Sequence, residues 1–183
     1  SELHIDDVQF YDNEAENGGA IASLRTNVTI QDSTFNGNRV ITTGTSYKGG
    51  AIFTEFAILD VSDSQFENNE AGAGSAIHSV ASTVNLDTNV FRGHQNTVRG
   101  VVHLLRGSEH VLQNSSFLDN TSQYGAPFIF ERDNINGSFS STYNASHYMS
   151  IENNYFARNE APVGGVLIND TEFELRNNIF AYN

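Results

Sequence analysis

The segment Phe10-Tyr-Asp-Asn13-Glu-Ala-Glu-Asn-Gly18-Gly-Ala-Ile21 returns along the chain in two phased halves. Its first half, Phe-x-x-Asn, recurs as Phe35–Asn38, Phe66–Asn69, Phe117–Asn120, Phe156–Asn159 and Phe180–Asn183, with a degenerate copy at Phe91–His94. The steps between phenylalanines are 25, 31, 25, 26, 39 and 24 residues, a period of about 25 with two insertions. The second half recurs as Gly49–Ile52, Gly74-Ser-Ala-Ile77, Gly125-Ala-Pro-Phe128 and Gly164-Gly-Val-Leu167. In the copy between them, either Gly100 opens the motif or Arg99-Gly-Val-Val102 does; the second choice keeps the eight-residue spacing from Phe91 and turns Val102 inward.

Before each Phe, the residues seven and five back are apolar: Leu3 and Ile5, Val28 and Ile30, Leu59 and Val61, Val84 and Leu86, Met149 and Ile151, Phe173 and Leu175. His110 with Leu112 is the exception. Such alternation predicts short strands with one face inward. Three residues before each Phe stands a turn-former: Asp7, Asp32, Asp63, Thr88, Asn114, Asn153 and Asn177. No segment of helical period is long enough to matter. A unit of about 25 residues cannot bury its own inner face, whereas stacked units can. The expected fold is all-β: a single right-handed parallel β-helix over residues 1–183, about seven coils with insertions near 39–48 and 131–147. At about 4.8 Å per coil the rod is roughly 34 Å long. Phe10, Phe35, Phe66, Phe91, Phe117, Phe156 and Phe180 then form an interior column, and Asn13, Asn38, Asn69, Asn120, Asn159 and Asn183 a ladder of stacked amides. The commonest residues are read as structural rather than catalytic.

Composition narrows the function. Nine Lys and Arg against 22 Asp and Glu give a net charge of −13, the wrong sign for nucleic acid or anionic headgroups. Apolar runs are too short to span a bilayer as a helix. With no Cys, disulfides and thiolate chemistry are excluded.

The Gly-Gly-Ala-[Ile/Leu/Val] and Phe-x-x-Asn motifs together resemble the repeat of the chlamydial polymorphic outer membrane proteins, and the resemblance spans Ile5 to Asn183. It implies a right-handed parallel β-helix, surface or extracellular display and an adhesive or structural role, with no catalytic residues; separately, no cofactor is expected. The chain departs from the family in lacking Cys, in its degenerate fourth coil and in its insertions.

Other readings are weighed against this one. Asp7, Asp32 and Asp63 would stack on consecutive coils and could bridge Ca²⁺, or serve as turn caps. Polysaccharide lyases and glycoside hydrolases also use β-helices, which makes a carbohydrate-active enzyme the alternative. Lys48 is the only Lys, however, and no block of acidic and basic residues marks a cleft. The six His share no metal-ligand spacing. Of the Asn-x-[Ser/Thr] sites, Asn27, Asn136, Asn144 and Asn169 are the glycosylation candidates, while Asn114 and Asn120 sit in turn or ladder columns. The insertions are candidate contact loops for surface glycans or proteins. The ends expect further coils of a longer protein, or other protein chains as in a filament, since an open sheet edge seeks a partner.

Overall fold

The computed structural model describes residues 1–41, 48–95, 97–107, 109–125, 127–131, 134–135, 138–139, 148–164, 167–169 and 172–183. The chain winds as a right-handed parallel β-helix whose coils place equivalent strands side by side in three sheets. The first sheet holds Glu2–Asp6, Asn27–Gln31, Ile58–Ser62, Thr83–Asp87, Glu109–Gln113, Tyr148–Glu152 and Glu172–Arg176. The second holds the short Phe strands Gln9–Tyr11, Thr34–Asn36, Gln65–Glu67, Val90–Arg92, Ser116–Leu118, Tyr155–Ala157 and Ile179–Ala181. The third holds Ile21–Leu24, Ile52–Glu55, Ile77–Val80, Val102–Leu105, Phe128–Glu131 and Leu167–Asn169.

Register superimposes like on like. Phe10 pairs with Phe35, Phe35 with Phe66, Phe66 with Phe91, Phe91 with Phe117, Phe117 with Phe156 and Phe156 with Phe180. The rings stack nearly parallel at centroid spacings of 4.7, 4.8, 4.9, 4.6, 5.1 and 5.0 Å. Five of the seven are fully buried, Phe10 is half-buried and Phe180 is 47% exposed. Each buried ring contributes about 1.5–3 kcal/mol of transfer free energy. The inward residues of the first sheet stack beside them, Val28 on Leu59 and Leu59 on Val84.

Sharp corners separate the sheets, and all are built from left-handed backbone. Asp7, Asp32, Asp63, Thr88, Asn114, Asn153 and Asn177 all have φ between 48° and 57°. The carboxylates of Asp7, Asp32 and Asp63 are exposed, and the Asp7 and Asp63 N–H groups bond the next coil at Gln31 O and Asp87 O. This column is therefore selected for tolerance of positive φ. A corner two residues after each Phe (Asp12, Gly37, Asn68, Gly93, Asp119, Arg158, Tyr182) and one after the third sheet (Arg25, Phe56, Ala81, Arg106) are left-handed too.

Three boundaries differ from the sequence reading. Arg39–Val40 is a strand paired with Glu14–Ala15, and Lys48 bridges Ala73, so these two ends of the first insertion belong to the coil. Glu131 still pairs with Leu105, and Tyr148 with Glu109, which trims the second insertion in the same way. In the fourth coil Val102 keeps the inward register on Ile77, while the left-handed turn falls on Gly100, one residue later than the Phe spacing predicts.

Candidate functional site

The repeated residues face inward and spend their polar groups on one another. Asn13 N–H donates to Asn38 Oδ1, Asn38 N–H to Asn69 Oδ1, Asn120 N–H to Asn159 Oδ1 and Asn159 N–H to Asn183 Oδ1, at 2.9–3.2 Å. The Asn13, Asn38, Asn120 and Asn159 side-chain amides donate to the same oxygens. From Asn38 onward the Asn amides also reach back to a Phe carbonyl in the preceding coil, as Asn38 does to Phe10 O and Asn120 to Phe91 O. A backbone corner with no strand partner is thus satisfied along the axis.

A second polar ladder, absent from the sequence reading, lies two residues before each Phe. Val8 N–H donates to Ser33 Oγ, Ser33 to Ser64 Oγ, Ser64 to Asn89 Oδ1, Asn89 to Ser115 Oγ, Ser115 to Asn154 Oδ1 and Asn154 to Asn178 Oδ1. The two ladders flank the Phe strand at every level.

His94 interrupts the first ladder. Its N–H keeps the bond to Asn120 Oδ1, but it has no oxygen to offer the Asn69 N–H. Its two ring nitrogens lie 3.1 Å from the carbonyl oxygens of Asn69 and Phe66. A neutral imidazole has one N–H, so one of these contacts has no proton in it. Burial pushes the His94 pKa down to about 4, against the two carbonyls, which favour the protonated ring.

What is left for contact with other molecules is the outward surface. On the first sheet, Thr29, Asp60 and Asn85 form one outward column, and Ser62, Asp87 and Gln113 another beside it. These six side chains line a shallow groove along the axis. Asn85 Nδ2 donates to Asp60 Oδ1 at 2.7 Å, and Gln113 Nε2 to Asp87 Oδ2 at 2.9 Å. Asn114 and Thr88 also donate to Asp87, and the Asn114 bond leads in holding its carboxyl below the usual range. Higher on the same face Tyr148 donates to Glu174 at 2.8 Å, and that bond with Arg176 keeps Glu174 ionised to lower pH. The carboxylates of the groove are held in place by these bonds between coils. Among the described residues, no three His, Asp or Glu side chains gather as a metal site.

The remaining candidates scatter. Asn27 is exposed, and its Oδ1 accepts from Ile58 N at 2.9 Å, leaving the amide nitrogen outward. Asn136 and Asn144 lie outside the described residues, as do 42–47 and most of the second insertion; Asn169 is described only as backbone of a third-sheet strand. Asn120 is fully buried, with both ladder bonds made.

A family model for the Chlamydia polymorphic membrane protein repeat matches residues 32–55. That span runs from the left-handed Asp32 through Phe35, Asn38 and the Gly49 turn to Glu55, the second-sheet and third-sheet parts of one coil. The chain is similar to that repeat over this coil. No curated protein and no solved structure gives a match.

Proposed function

We propose that this chain is a non-catalytic rod displayed on a cell surface or outside the cell, acting as an adhesin, with the first sheet's outward groove as its contact face. The observation that carries the reading is the use of the repeated residues. Phe, Asn and Ser recur because they hold the coils together, and variable side chains are left to the outer faces. The likeness of one coil to a repeat of bacterial surface proteins supports the surface location.

Thr29, Asp60, Ser62, Asn85, Asp87 and Gln113 offer hydroxyl, amide and carboxylate groups on a fixed lattice of about 4.8 Å along the axis. Hydroxyl-rich glycans present donors to such acceptors. No cofactor enters this reading, so EDTA or added Ca²⁺ leaves Tm unchanged. The partners expected at the ends are further coils or other chains: a coil bearing Phe and Asn would meet Phe10 with Asn13, or Phe180 with Asn183, in the register already present.

The test is binding of the protein to a panel of neutral and acidic glycans and to whole cells. The Asp60→Ala/Asn85→Ala variant should lose binding at least tenfold while keeping its Tm within a few degrees. Unchanged binding by this variant would remove the groove from the proposal. Turnover of any glycan would remove the non-catalytic reading.

A further inference from the structure

The corner between the third and first sheets carries a column of its own. Arg25, Phe56, Ala81 and Arg106 occupy it on successive coils, all left-handed, with φ of 53°, 54°, 48° and 57°. Arg25, Phe56 and Ala81 donate their N–H groups to the next coil, at Glu55 O, Val80 O and Leu105 O, which keeps them in register. Phe56 is the anomaly among them. A bulky side chain at positive φ is strained, and Asn, Asp or Gly would stand there at less cost. The ring contributes little to the core, for Phe56 is 52% exposed. Its neighbours Leu24 and Ile58 are 60% and 42% exposed, so the corner presents an apolar ridge.

The column is a stack with one level left open. The Arg25 guanidinium carbon lies 5.8 Å from the centre of the Phe56 ring and covers one of its faces. On the other side, the next level holds only the methyl of Ala81. Inside the rod, rings on successive coils fill such levels, at centroid spacings of 4.6 to 5.1 Å. A flat group one ring thick therefore fits over Ala81, against the second face of Phe56. Beyond it, Arg106 marks the same corner on the fourth coil. The level also opens towards the contact groove. Asp60 follows Phe56, and Asn85 follows Ala81, by roughly 13 Å of extended chain, and both point outward on the first sheet.

We propose that this open level is a sugar-binding subsite, in which an uncharged hexopyranose with equatorial hydroxyls lays its C–H face on Phe56 and rests over Ala81. The inference deepens the glycan-binding reading of the groove and rests on it. A hexopyranose of this kind is flat, apolar on its faces and polar at its rim. Its face meets the Phe56 ring, and further sugars of the same chain run on towards the Asn85 amide and the Asp60 carboxylate. An aromatic side chain of a protein would fill the level equally well, but it would leave the row of amides, hydroxyls and carboxylates beside it unused. Acidic sugars are disfavoured by Asp60 and Asp87 and by the net charge of −13. The strain at Phe56 then has a reason, since the ring is held outward for a partner outside the chain.

The experiment titrates cellohexaose, an uncharged chain of such rings, into the intact protein and follows it by NMR. Stacking on Phe56 moves C–H protons of the sugar upfield, which a merely structural ring does not do. Phe56→Ala should remove the upfield shift and weaken binding roughly fivefold or more, while Phe56→Tyr should keep both. Phe56→Asn should lose binding yet keep or raise Tm, because Asn accepts left-handed backbone. Ala81→Phe, which fills the open level with a ring of the chain's own, should also abolish the shift. Binding without an upfield shift, full binding by Phe56→Ala, a loss of Tm in Phe56→Asn, or binding of other glycans but not cellohexaose would overturn the subsite. If Asp60→Ala/Asn85→Ala still loses binding in those cases, the groove stands without it. Failure of the parent protein to bind any glycan removes both.

Discussion

The second and third sheets are stacked by the same winding, yet they tolerate change very differently. Around the second sheet the levels repeat the same chemistry: Phe in the middle, Ser or Asn on one side (Val8 on the first coil), and Asn, or once His, on the other. The third sheet's outward column runs Ala22, Phe53, His78, His103, Ile129. Both insertions join the coil at the edges of this sheet, at Lys48 and Glu131. The difference lies in where the backbone finds its bonds. Strands of the third sheet bond one another, so their outward side chains are free to vary. At the corners beside each Phe, the residue after the left-handed turn instead gives its N–H to an Asn or Ser side chain of the next coil, as Val8 and Asn13 do to Ser33 and Asn38.

Breaking the second-sheet corner should therefore cost most. Phe66→Ala removes a ring stacked on both sides and should cost about 3–5 kcal/mol by urea denaturation. Phe180→Ala, at the half-exposed end of the same column, should cost clearly less. Equal losses would mean that the column does not act through burial. Asn120→Ala strands the His94 N–H and the Phe91 carbonyl inside the protein and should cost about 2–3 kcal/mol. Asp60→Ala, at a half-buried outward position of the first sheet, should cost least, about 0.5 kcal/mol.

His94 sharpens the comparison, because it is a flaw in the repeated corner. Its folded pKa lies below its unfolded one, so the stability tied to the neutral ring is fully present above about pH 6.5. That stability is lost as pH falls towards 4, amounting to roughly 3 kcal/mol. His94→Asn supplies the missing oxygen for the Asn69 N–H and removes the titration. It should raise Tm at pH 7 by a few degrees and flatten the Tm profile between pH 7 and 4. A variant as acid-sensitive as the parent would place the titration elsewhere.

The Phe column and the Asn ladder were legible because one residue type recurs at one phase. The second ladder carried the same signal: Ser33, Ser64, Asn89, Ser115, Asn154 and Asn178 all stand two residues before a Phe and all bear a side-chain oxygen. The corner two residues after Phe was also open to reading in Asp12, Gly37, Asn68, Gly93 and Asp119. The corner at Arg25, Phe56, Ala81 and Arg106 was not, since none of these residues favours left-handed backbone. The fold imposes it: Arg25, Phe56 and Ala81 each donate their N–H to the next coil, at Glu55, Val80 and Leu105, and those bonds offset about 1–2 kcal/mol of strain per residue. The contact groove was illegible for a related reason. Its columns mix Thr, Asp, Asn, Ser and Gln, so no period marks them, and only the register brings them side by side.

Register is the claim on which the ladders and the groove depend, and cross-linking tests it most directly in a chain without Cys. Thr34 and Gln65 are outward partners on adjacent coils, 31 residues apart in sequence, whereas Thr34 and Val90 are two coils apart. Adjacent coils lie within the reach of a disulfide, and alternate coils, at roughly 9.6 Å, do not. Thr34→Cys/Gln65→Cys should oxidise completely under mild conditions with Tm maintained or raised, and Thr34→Cys/Val90→Cys should stay reduced. Cross-linking of the second pair, or failure of the first, would contradict the stacked register.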